Sequence, residues 1–387
     1  MPDTPTAPVI LGDEPGSFPR SVLAERHPAI IQQVRDAFPY DPERHRALDT
    51  LLKNCTEGTI EPLPADASDR AQWAAWGTDQ HAGHSWYDVP WLWSESYFYR
   101  QLLEAVGYFG PGVWQGIDPF RPFKRAELDA PETDEELAAL DALADKSPDE
   151  RARALLHGSL WGNRADLGFR LSAAGAEQQA AVPALVADDS ERLWPLLSGT
   201  LCLVADNAGR ELIPDLLLIA HLLAERRIER AVLHIKPHPY YVSDATAADV
   251  IDALHRLTRA PGAATYGRRL WSAMADGRLT VRAHAFSCAP LPYADMSADL
   301  RAEFAAATLT IVKGDLNYRR LVGDRLWPPT TPFADVTAYF PGPVAALRTL
   351  KSDVITGLDV RTEAALVAAE GQRWRTGGTH ALIQVRP

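Results

Sequence analysis

Three absences narrow the functions open to this 387-residue chain. Its three cysteines, Cys55, Cys202 and Cys288, are too few and too scattered for a disulfide framework, and no CxxC pair is present. No basic segment followed by an apolar one opens the sequence, so no signal peptide is predicted. No uninterrupted apolar run approaches the ~20 residues of a membrane span. We therefore expect a chain of the reducing cytoplasm that does not associate with membranes.

Positive charge is also in short supply. Lys and Arg together number 39 against 51 Asp and Glu, which gives a formal net charge of −12. Nonspecific nucleic-acid binding needs many cations that neutralise phosphates, so this balance argues against it. A local basic pocket for one small phosphate remains compatible with the composition.

Familiar catalytic and nucleotide-binding signatures are missing as well. The sequence contains no P-loop, no GxGxxG and no GxSxG elbow. His81 and His84 form an HxxH pair without further Cys or His nearby, which argues against zinc. The tryptophan-rich stretch from Trp73 to Trp114 favours an aromatic core over a cofactor-binding site.

The pattern of apolar residues changes near residue 180. Residues 1–19 lack periodicity and predict an irregular segment, whereas helical spacing of apolar residues makes 20–180 mainly helical. In 181–387, short apolar runs alternate with helical patterns, which predicts an α/β domain with a mostly parallel sheet flanked by helices. The predicted strands are 200–205, 231–235, 279–286, 308–312, 344–350 and 381–385, and the predicted helices include 134–144, 148–157, 209–227, 246–259, 297–306 and 364–374.

Polar residues follow several predicted strands at the point where each ends. Asp206 and Asn207 follow the first strand, Asp244 follows the second after a loop, and Asp315 follows the fourth. Because the carboxyl ends of parallel strands share one edge of a sheet, we expect these side chains to gather there. Two carboxylates and an amide oxygen suit Mg²⁺, Mn²⁺ or a similar ion. Asp315 would orient or deprotonate an attacking water.

Cations fall at the same junctions and complete the pattern. Lys313, Arg319 and Lys351 would neutralise charge on phosphate oxygens. Helix N-termini after Asn207 and Leu316 would add backbone donors for an anion. A divalent metal beside a phosphate is therefore the chemistry that these residues predict.

Each residue alone also fits an ordinary structural role. Asp206, Asn207 and Asp244 could be helix N-caps, since Asp and Asn favour that position. Lys313 and Asp315 could pair with each other. A structural salt bridge would account equally for Arg348.

Several ordered runs resemble the metal-dependent damage-control phosphatases (domain of unknown function 89), and specifically their third subfamily. That subfamily includes proteins also described as acidic-residue methyltransferases. The resemblance spans roughly residues 25–360 and rests on Pro90-Trp91-Leu92 with Glu95, Tyr97, Tyr99 and Arg100; on Leu160-Trp161-Gly162-Asn163-Arg164-Ala165-Asp166-Leu167; on Asp206-Asn207 with Gly209 and Glu211; on Val242-Ser243-Asp244; on Lys313-Gly314-Asp315-Leu316-Asn317-Tyr318-Arg319; and on Arg348-Thr349-Leu350-Lys351.

This resemblance implies a Rossmann-like α/β/α sandwich with a mainly helical N-terminal region. It implies a catalytic domain over 181–387 that binds Mn²⁺, Co²⁺, Ni²⁺ or Mg²⁺ through Asp206, Asn207 and Asp244. The implied activity is hydrolysis of phosphate monoesters of small metabolites, including sugar phosphates such as fructose 1-phosphate. The residues implied in substrate binding are Asn163, Asp315, Leu316, Asn317, Tyr318, Arg319, Arg348 and Lys351.

Two other functions stay open at this stage. A carboxyl methyltransferase using S-adenosylmethionine ranks lower, because no glycine-rich methyltransferase loop follows a first strand. A non-enzymatic phosphosugar-binding protein would keep Arg319 and Lys351 but would not need paired carboxylates opposite them. For both the phosphatase and the phosphosugar-binding protein, the expected partner is a small phosphorylated metabolite. The oligomeric state is left open.

Overall fold

The computed structural model describes residues 7–143, 145–162 and 185–387. Up to residue 162 the described chain is helical, as expected, while its division into domains stays a prediction. The helices of eight or more residues in this part are His27–Ala37, Pro42–Glu57, Trp91–Ala105, Arg121–Leu128, Pro131–Ala139 and Pro148–Trp161, and the shorter ones are Phe18–Ser21, Arg70–Ala75 and Thr78–His81.

Local sequence explains where these helices begin. Asp41 caps the Pro42–Glu57 helix by accepting hydrogen bonds from the backbone N–H groups of Glu43 (2.8 Å) and Arg44 (3.0 Å). Ser147 and Glu150 form a capping box at the helix that starts with Pro148. Trp73, Trp86 and Trp93 lie in the buried core of the helical part, which agrees with the predicted structural role of this tryptophan-rich stretch.

A seven-stranded sheet forms the second part. The strands are β1 Leu185–Asp188, β2 Thr200–Val204, β3 Arg230–Ile235, β4 Leu279–Ala283, β5 Leu309–Lys313, β6 Val344–Thr349 and β7 Ala381–Arg386. Their order in the sheet is β1-β7-β6-β5-β2-β3-β4. Strands β2 to β6 run parallel, whereas β7 pairs antiparallel with β6 and parallel with β1.

Helices cover both faces of this sheet. Side chains of β2 alternate between two cores: Leu201 and Leu203 pack on one face, and Cys202 and Val204 on the other. The α/β/α sandwich predicted from the sequence is therefore confirmed. Its helices of eight or more residues are Leu212–Ala224, Ala247–Arg259, Ala264–Ala275, Ala298–Ala305, Gly314–Val322 and Val360–Glu370, and shorter ones are Ser190–Leu193 and Phe333–Val336.

The strand order creates a switch point. The chain moves from β2 outward to β3 and β4, then returns to the opposite side of β2 to form β5 and β6. In open α/β sheets, ligands bind in the crevice that such a reversal leaves at the carboxyl ends of the strands. Here the crevice lies between β2 and β5.

Some predicted elements differ from the observed ones. Strand β4 ends at Ala283 rather than residue 286, because the His284 side chain accepts a hydrogen bond from the Phe286 N–H and starts a 3₁₀ turn. The last helix spans Val360–Glu370 rather than 364–374, since Asp359 caps it and Gly371, at φ +64°, ends it. Strand β1 and the Ala264–Ala275 helix were not predicted.

All three cysteines are buried and unpaired. Among the described residues, no helix combines the length and apolar character that crossing a membrane requires.

Candidate functional site

A cleft of about 250 Å³ opens at the switch point. Residues that follow four parallel strands line it together: Asp206 and Asn207 after β2, Asp244 after β3, Asp315 after β5 and Lys351 after β6. The convergence expected from the strand pattern is therefore present, although the roles of these residues remain predictions.

Backbone pairing holds the two acidic loops beside each other. Asn207 and Asp244 form an isolated antiparallel bridge, and the Ala245 N–H donates to the Asp206 carbonyl at 3.0 Å. The N-cap interpretation of these residues is wrong. The Leu212–Ala224 helix follows a 3₁₀ turn at Gly209–Glu211, and Thr246 caps the Ala247–Arg259 helix.

The carboxylates of this site carry more negative charge than the surrounding protein balances. Burial raises the pKa of Asp206 well above its usual value, and the charges of Glu211 and Asp244 raise it further. Asp244 Oδ2 accepts from the Tyr241 N–H at 2.8 Å, whereas its buried Oδ1 accepts no hydrogen bond. The nearest cation to Oδ1 is Lys236, with Nζ at 3.4 Å. An unsatisfied buried carboxylate oxygen fits a cation ligand.

Asn207 is oriented to contribute an oxygen. Its Nδ2 donates to Glu211 Oε2 at 2.7 Å and lies 3.3 Å from Asp206 Oδ2, which leaves Oδ1 for another partner. No group of three or more His, Cys, Asp or Glu side chains within the described ranges is arranged to hold a metal. The cleft instead offers two carboxylates and one amide oxygen, from Asp206, Asp244 and Asn207. A divalent ion at this site would use these three side chains, with water in its remaining positions.

Gly314 brings backbone against this site. A Cβ at this position, where φ is +81°, would lie 1.8 Å from Asp206 Oδ2. Only glycine accepts both the left-handed conformation and the close approach. The tight turn between β5 and the Gly314–Val322 helix thus shapes the pocket around the Asp206 carboxylate.

Lys313 and Asp315 do not pair with each other. Lys313 Nζ donates to Asp215 Oδ1 at 2.7 Å and to the Ser159 carbonyl, and Ser159 Oγ donates to the same Asp215 oxygen at 2.5 Å. Lys313 also lines a small adjoining cavity of about 20 Å³ together with Asp206. Its charge is compensated within the protein, which makes Lys313 a poor phosphate ligand.

Asp315 is held by the end of β6 and by the loop that follows it. Its Oδ1 accepts from Arg348 Nε at 2.8 Å, from the Lys351 N–H at 3.1 Å and from Ser352 Oγ at 3.1 Å. Burial raises the pKa of Asp315, but the charges of Arg348 and Arg319 and these hydrogen bonds outweigh it, so its pKa lies below the usual value.

Three predicted substrate contacts lie behind the cleft wall instead. Arg348 is fully buried, stacks over the Tyr318 ring and donates to the carbonyls of Ser352 and Val354. Asn317 Nδ2 bonds the Ala205 and Lys313 carbonyls at 3.0 and 2.9 Å. Because Asn317, Tyr318 and Arg348 are fully buried and use their polar groups internally, the geometry gives them positions that support the site rather than touch substrate.

The remaining predicted contacts divide as follows. Leu316, Arg319 and Lys351 line the cleft, and Lys351 has an exposed fraction of 44% with its Nζ 3.7 Å from Glu211 Oε1. Asn163 lies outside the described residues, as does Asp166.

Several lining residues received no site role from the sequence, although Glu95 and Glu211 stand in the runs that resemble the phosphatase family. Glu211 stands four residues after Asn207, a spacing that could have signalled their contact, but Glu95, Tyr241 and Phe18 come from segments remote in sequence. Nothing in their local patterns marks these three as members of one cleft.

Comparison with known proteins agrees with the runs found in the sequence. The model of the ARMT1-like damage-control phosphatase domain matches residues 22–366. The chain belongs to this family. Two similar proteins, both named damage-control phosphatase ARMT1, are those of Rattus norvegicus, 30% identical over 433 residues (95% of this chain, 96% of the relative), and Mus musculus, 29% identical over 431 residues (95% and 96%).

A solved structure is also similar. It is a DUF89 family protein from Pyrococcus horikoshii, with a TM-score of 0.48, 14% identity, and coverage of 85% of this chain and 90% of that one. The family membership itself is shown by the sequence matches, which confirm the resemblance described above.

Proposed function

We propose that this protein is a metal-dependent phosphatase that hydrolyses phosphate monoesters of small metabolites. Sugar phosphates such as fructose 1-phosphate are the proposed substrate class. The observation that carries the proposal is the set of under-compensated oxygen ligands from Asp206, Asn207 and Asp244, which share one cleft with the Lys351 ammonium. Membership of a phosphatase family supports the same activity.

Asp206, Asn207 and Asp244 would hold the divalent ion. When bound, such an ion polarises a phosphoryl oxygen and lowers the pKa of a bound water. These three ligands offer oxygen alone, a donor set that suits Mg²⁺ and Mn²⁺ better than Co²⁺ or Ni²⁺. We therefore rank Mn²⁺ and Mg²⁺ first.

Two further residues act on substrate and water in this proposal. Lys351 places a positive charge at the cleft, where it would attract the phosphate and stabilise negative charge in the transition state. Asp315 stays ionised at neutral pH because its pKa is lowered, so it accepts a hydrogen bond well but is a weak base. Its role is therefore to orient the attacking water rather than to deprotonate it.

One assay tests the proposal. The protein is incubated with p-nitrophenyl phosphate and a panel of sugar phosphates, after EDTA treatment and after addition of Mn²⁺, Mg²⁺, Co²⁺ or Ni²⁺. We expect metal-dependent phosphate release that Asp206→Ala and Asp244→Ala each abolish. Asp299→Asn is the matched control, since Asp299 is an exposed carboxylate paired with His284.

The other outcomes separate the alternatives. Phosphate release that survives EDTA and both substitutions would overturn the proposal. Binding of sugar phosphates without turnover would favour a binding protein. Methyl transfer from S-adenosylmethionine to carboxyl groups, without phosphate release, would favour the methyltransferase.

A further inference from the structure

The cleft contains a second group of polar residues that metal and phosphate binding leave unexplained. Glu95, from the Trp91–Ala105 helix, lines the cleft together with Arg319 and Tyr241. These side chains come from the helical part, from the helix after β5 and from the loop after β3. They meet at the same cavity as the proposed metal ligands.

Arg319 is not arranged as a phosphate ligand. Its Nη1 donates to Glu95 Oε2 at 2.8 Å, and its Nε and Nη2 donate to the Asp324 carboxylate at 2.7 and 3.1 Å. The Trp91 ring covers the guanidinium at 3.5 Å. Two carboxylates against one guanidinium leave this cluster negative, and a negative cluster repels a phosphate but accepts hydrogen bonds from neutral groups.

Glu95 is the acceptor that the cluster presents. Its Oε2 is held by Arg319 and by the Tyr241 hydroxyl, which donates at 3.2 Å. No donor from the described residues reaches Oε1, although the side chain is only 5% exposed. Two fixed donors on one oxygen therefore immobilise the carboxylate and leave the other oxygen available to a ligand in the cleft.

We propose that Glu95 is a specificity-determining residue that accepts a hydrogen bond from a hydroxyl of the group esterified to the phosphate. The proposal rests on the phosphatase function proposed above and names the substrate feature that is read: a hydroxyl beyond the phosphate, as in polyhydroxy phosphate monoesters. A bound substrate that lacks this hydroxyl would cover the Glu95 oxygen without pairing it, which is how sites of this kind reject analogues.

The variant that tests it is Glu95→Gln. Arg319 donates to the side chain, so the amide oxygen must face Arg319 and the amide NH₂ must face the cleft. The substitution thus preserves size and replaces the acceptor by a donor. We expect the ratio of kcat/KM for fructose 1-phosphate over p-nitrophenyl phosphate, which has no hydroxyl, to fall at least tenfold, the lower end for a hydrogen bond to a charged group.

A second measurement needs no substitution at Glu95. Monodeoxy analogues of the best sugar phosphate are compared on the wild-type protein and on Tyr241→Phe, which removes one donor that immobilises Glu95. At least one analogue should lose tenfold or more in kcat/KM on the wild type. That penalty should shrink in Tyr241→Phe.

Glu104→Gln is the matched control, because Glu104 lies on the same helix and pairs with Arg100 at 2.8 Å outside the cleft. It should leave the substrate ratio unchanged. Equal losses on both substrates in Glu95→Gln, or no deoxy analogue that is discriminated, would reduce Glu95 to a structural partner of Arg319 and overturn the proposal. Failure of the wild type to release phosphate from any substrate would instead overturn the proposed function, and this inference with it.

Discussion

Asp206 and Asp315 follow neighbouring strands, β2 and β5, yet their surroundings shift the pKa values of the two carboxyl groups in opposite directions. Burial and the charges of Glu211 and Asp244 raise the pKa of Asp206, whereas Arg348 and three hydrogen bonds to one oxygen keep that of Asp315 low. The same residue type at the same kind of junction is thus balanced in one case and unbalanced in the other. This difference agrees with the proposal that Asp206 binds a metal ion, whereas Asp315 is already paired and orients the attacking water.

The largest expected effect concerns the unbalanced side. Asp206→Asn should lower metal-dependent phosphatase activity by at least about 10³-fold, since the metal contributes several kcal/mol to transition-state stabilisation. In EDTA the same variant should be more stable than the wild type, because one buried and repelling charge is removed. Thermal melts with and without Mn²⁺ check this, and Mn²⁺ should raise the melting temperature of the wild type alone. An equal rise in melting temperature with Mn²⁺ in both proteins would show that Asp206 does not bind the metal.

Loss of the partner of Asp315 should lower the stability of the folded protein. Arg348→Met should lower the free energy of unfolding by about 3 kcal/mol, because it leaves the largely buried Asp315 carboxylate, 15% exposed, without its charged partner. Urea denaturation measures the loss, and adding Asp315→Asn should recover part of it. Arg282→Met, which breaks an exposed pair with Glu303, is the control and should cost about 1 kcal/mol or less. Similar losses in the two single variants would remove the structural role of Arg348.

A smaller effect is expected at the exposed cation. Lys351→Met should reduce kcat/KM for phosphate esters about 10–100-fold, by raising KM and lowering kcat together, since its charge assists both binding and the transition state. Its side chain is 44% exposed, so the melting temperature should hardly change. Steady-state kinetics test this against Lys53→Met, an exposed lysine of the Pro42–Glu57 helix. Unchanged kinetics in Lys351→Met would exclude it from substrate binding.

His27 is a buried polar residue outside the cleft whose ring also lacks compensating partners. Its ring stacks on Phe98 at 3.6 Å, both nitrogens lack partners, and burial, with the nearby Arg26 charge, lowers its pKa to about 3. The unfolded chain binds a proton near pH 6.5 and the folded chain does not, so stability should fall as the pH drops from about 6.5 towards 3. Between pH 7 and 5 the loss from this group should be about 2 kcal/mol.

Urea denaturation at the two pH values tests this, with His27→Phe expected to lose correspondingly less stability on acidification. An identical pH dependence in both proteins would show that His27 takes up its proton in the folded state. If the expected difference is found, the buried and unpaired His27 ring lowers the stability of the folded protein at acidic pH.

Much of the sheet was predictable because its central strands are covered on both faces. Continuous apolar runs therefore mark β2, β3, β5 and β6, and the parallel arrangement brings Asp206 and Asp244 to one edge. Strand β1 escaped notice because it is short and only partly buried, at Leu185–Asp188. Its pairing with β7, and the reversal of β7 against β6, depend on contacts that no local pattern encodes.

The convergence of these side chains in one cleft was predictable for a similar reason. Side chains at strand ends can be placed by topology, but the burial of a cation cannot be read from its position. Arg348 is buried and donates hydrogen bonds to backbone carbonyls of the protein, and Lys313 forms an ion pair with Asp215. The contact between Glu95 and Arg319 joins residues 224 positions apart and arises from packing of the helical part on the sheet.

Gly314 has a consequence for how this site can be disabled. Its Cα hydrogen occupies the space that any larger residue would need, with the Asp206 carboxylate in the path of the first added carbon. Converting Gly314 to alanine would therefore displace Asp206 without deleting a single functional group. The proposed metal site is therefore sensitive to one added methyl group, at a residue that carries no chemistry of its own.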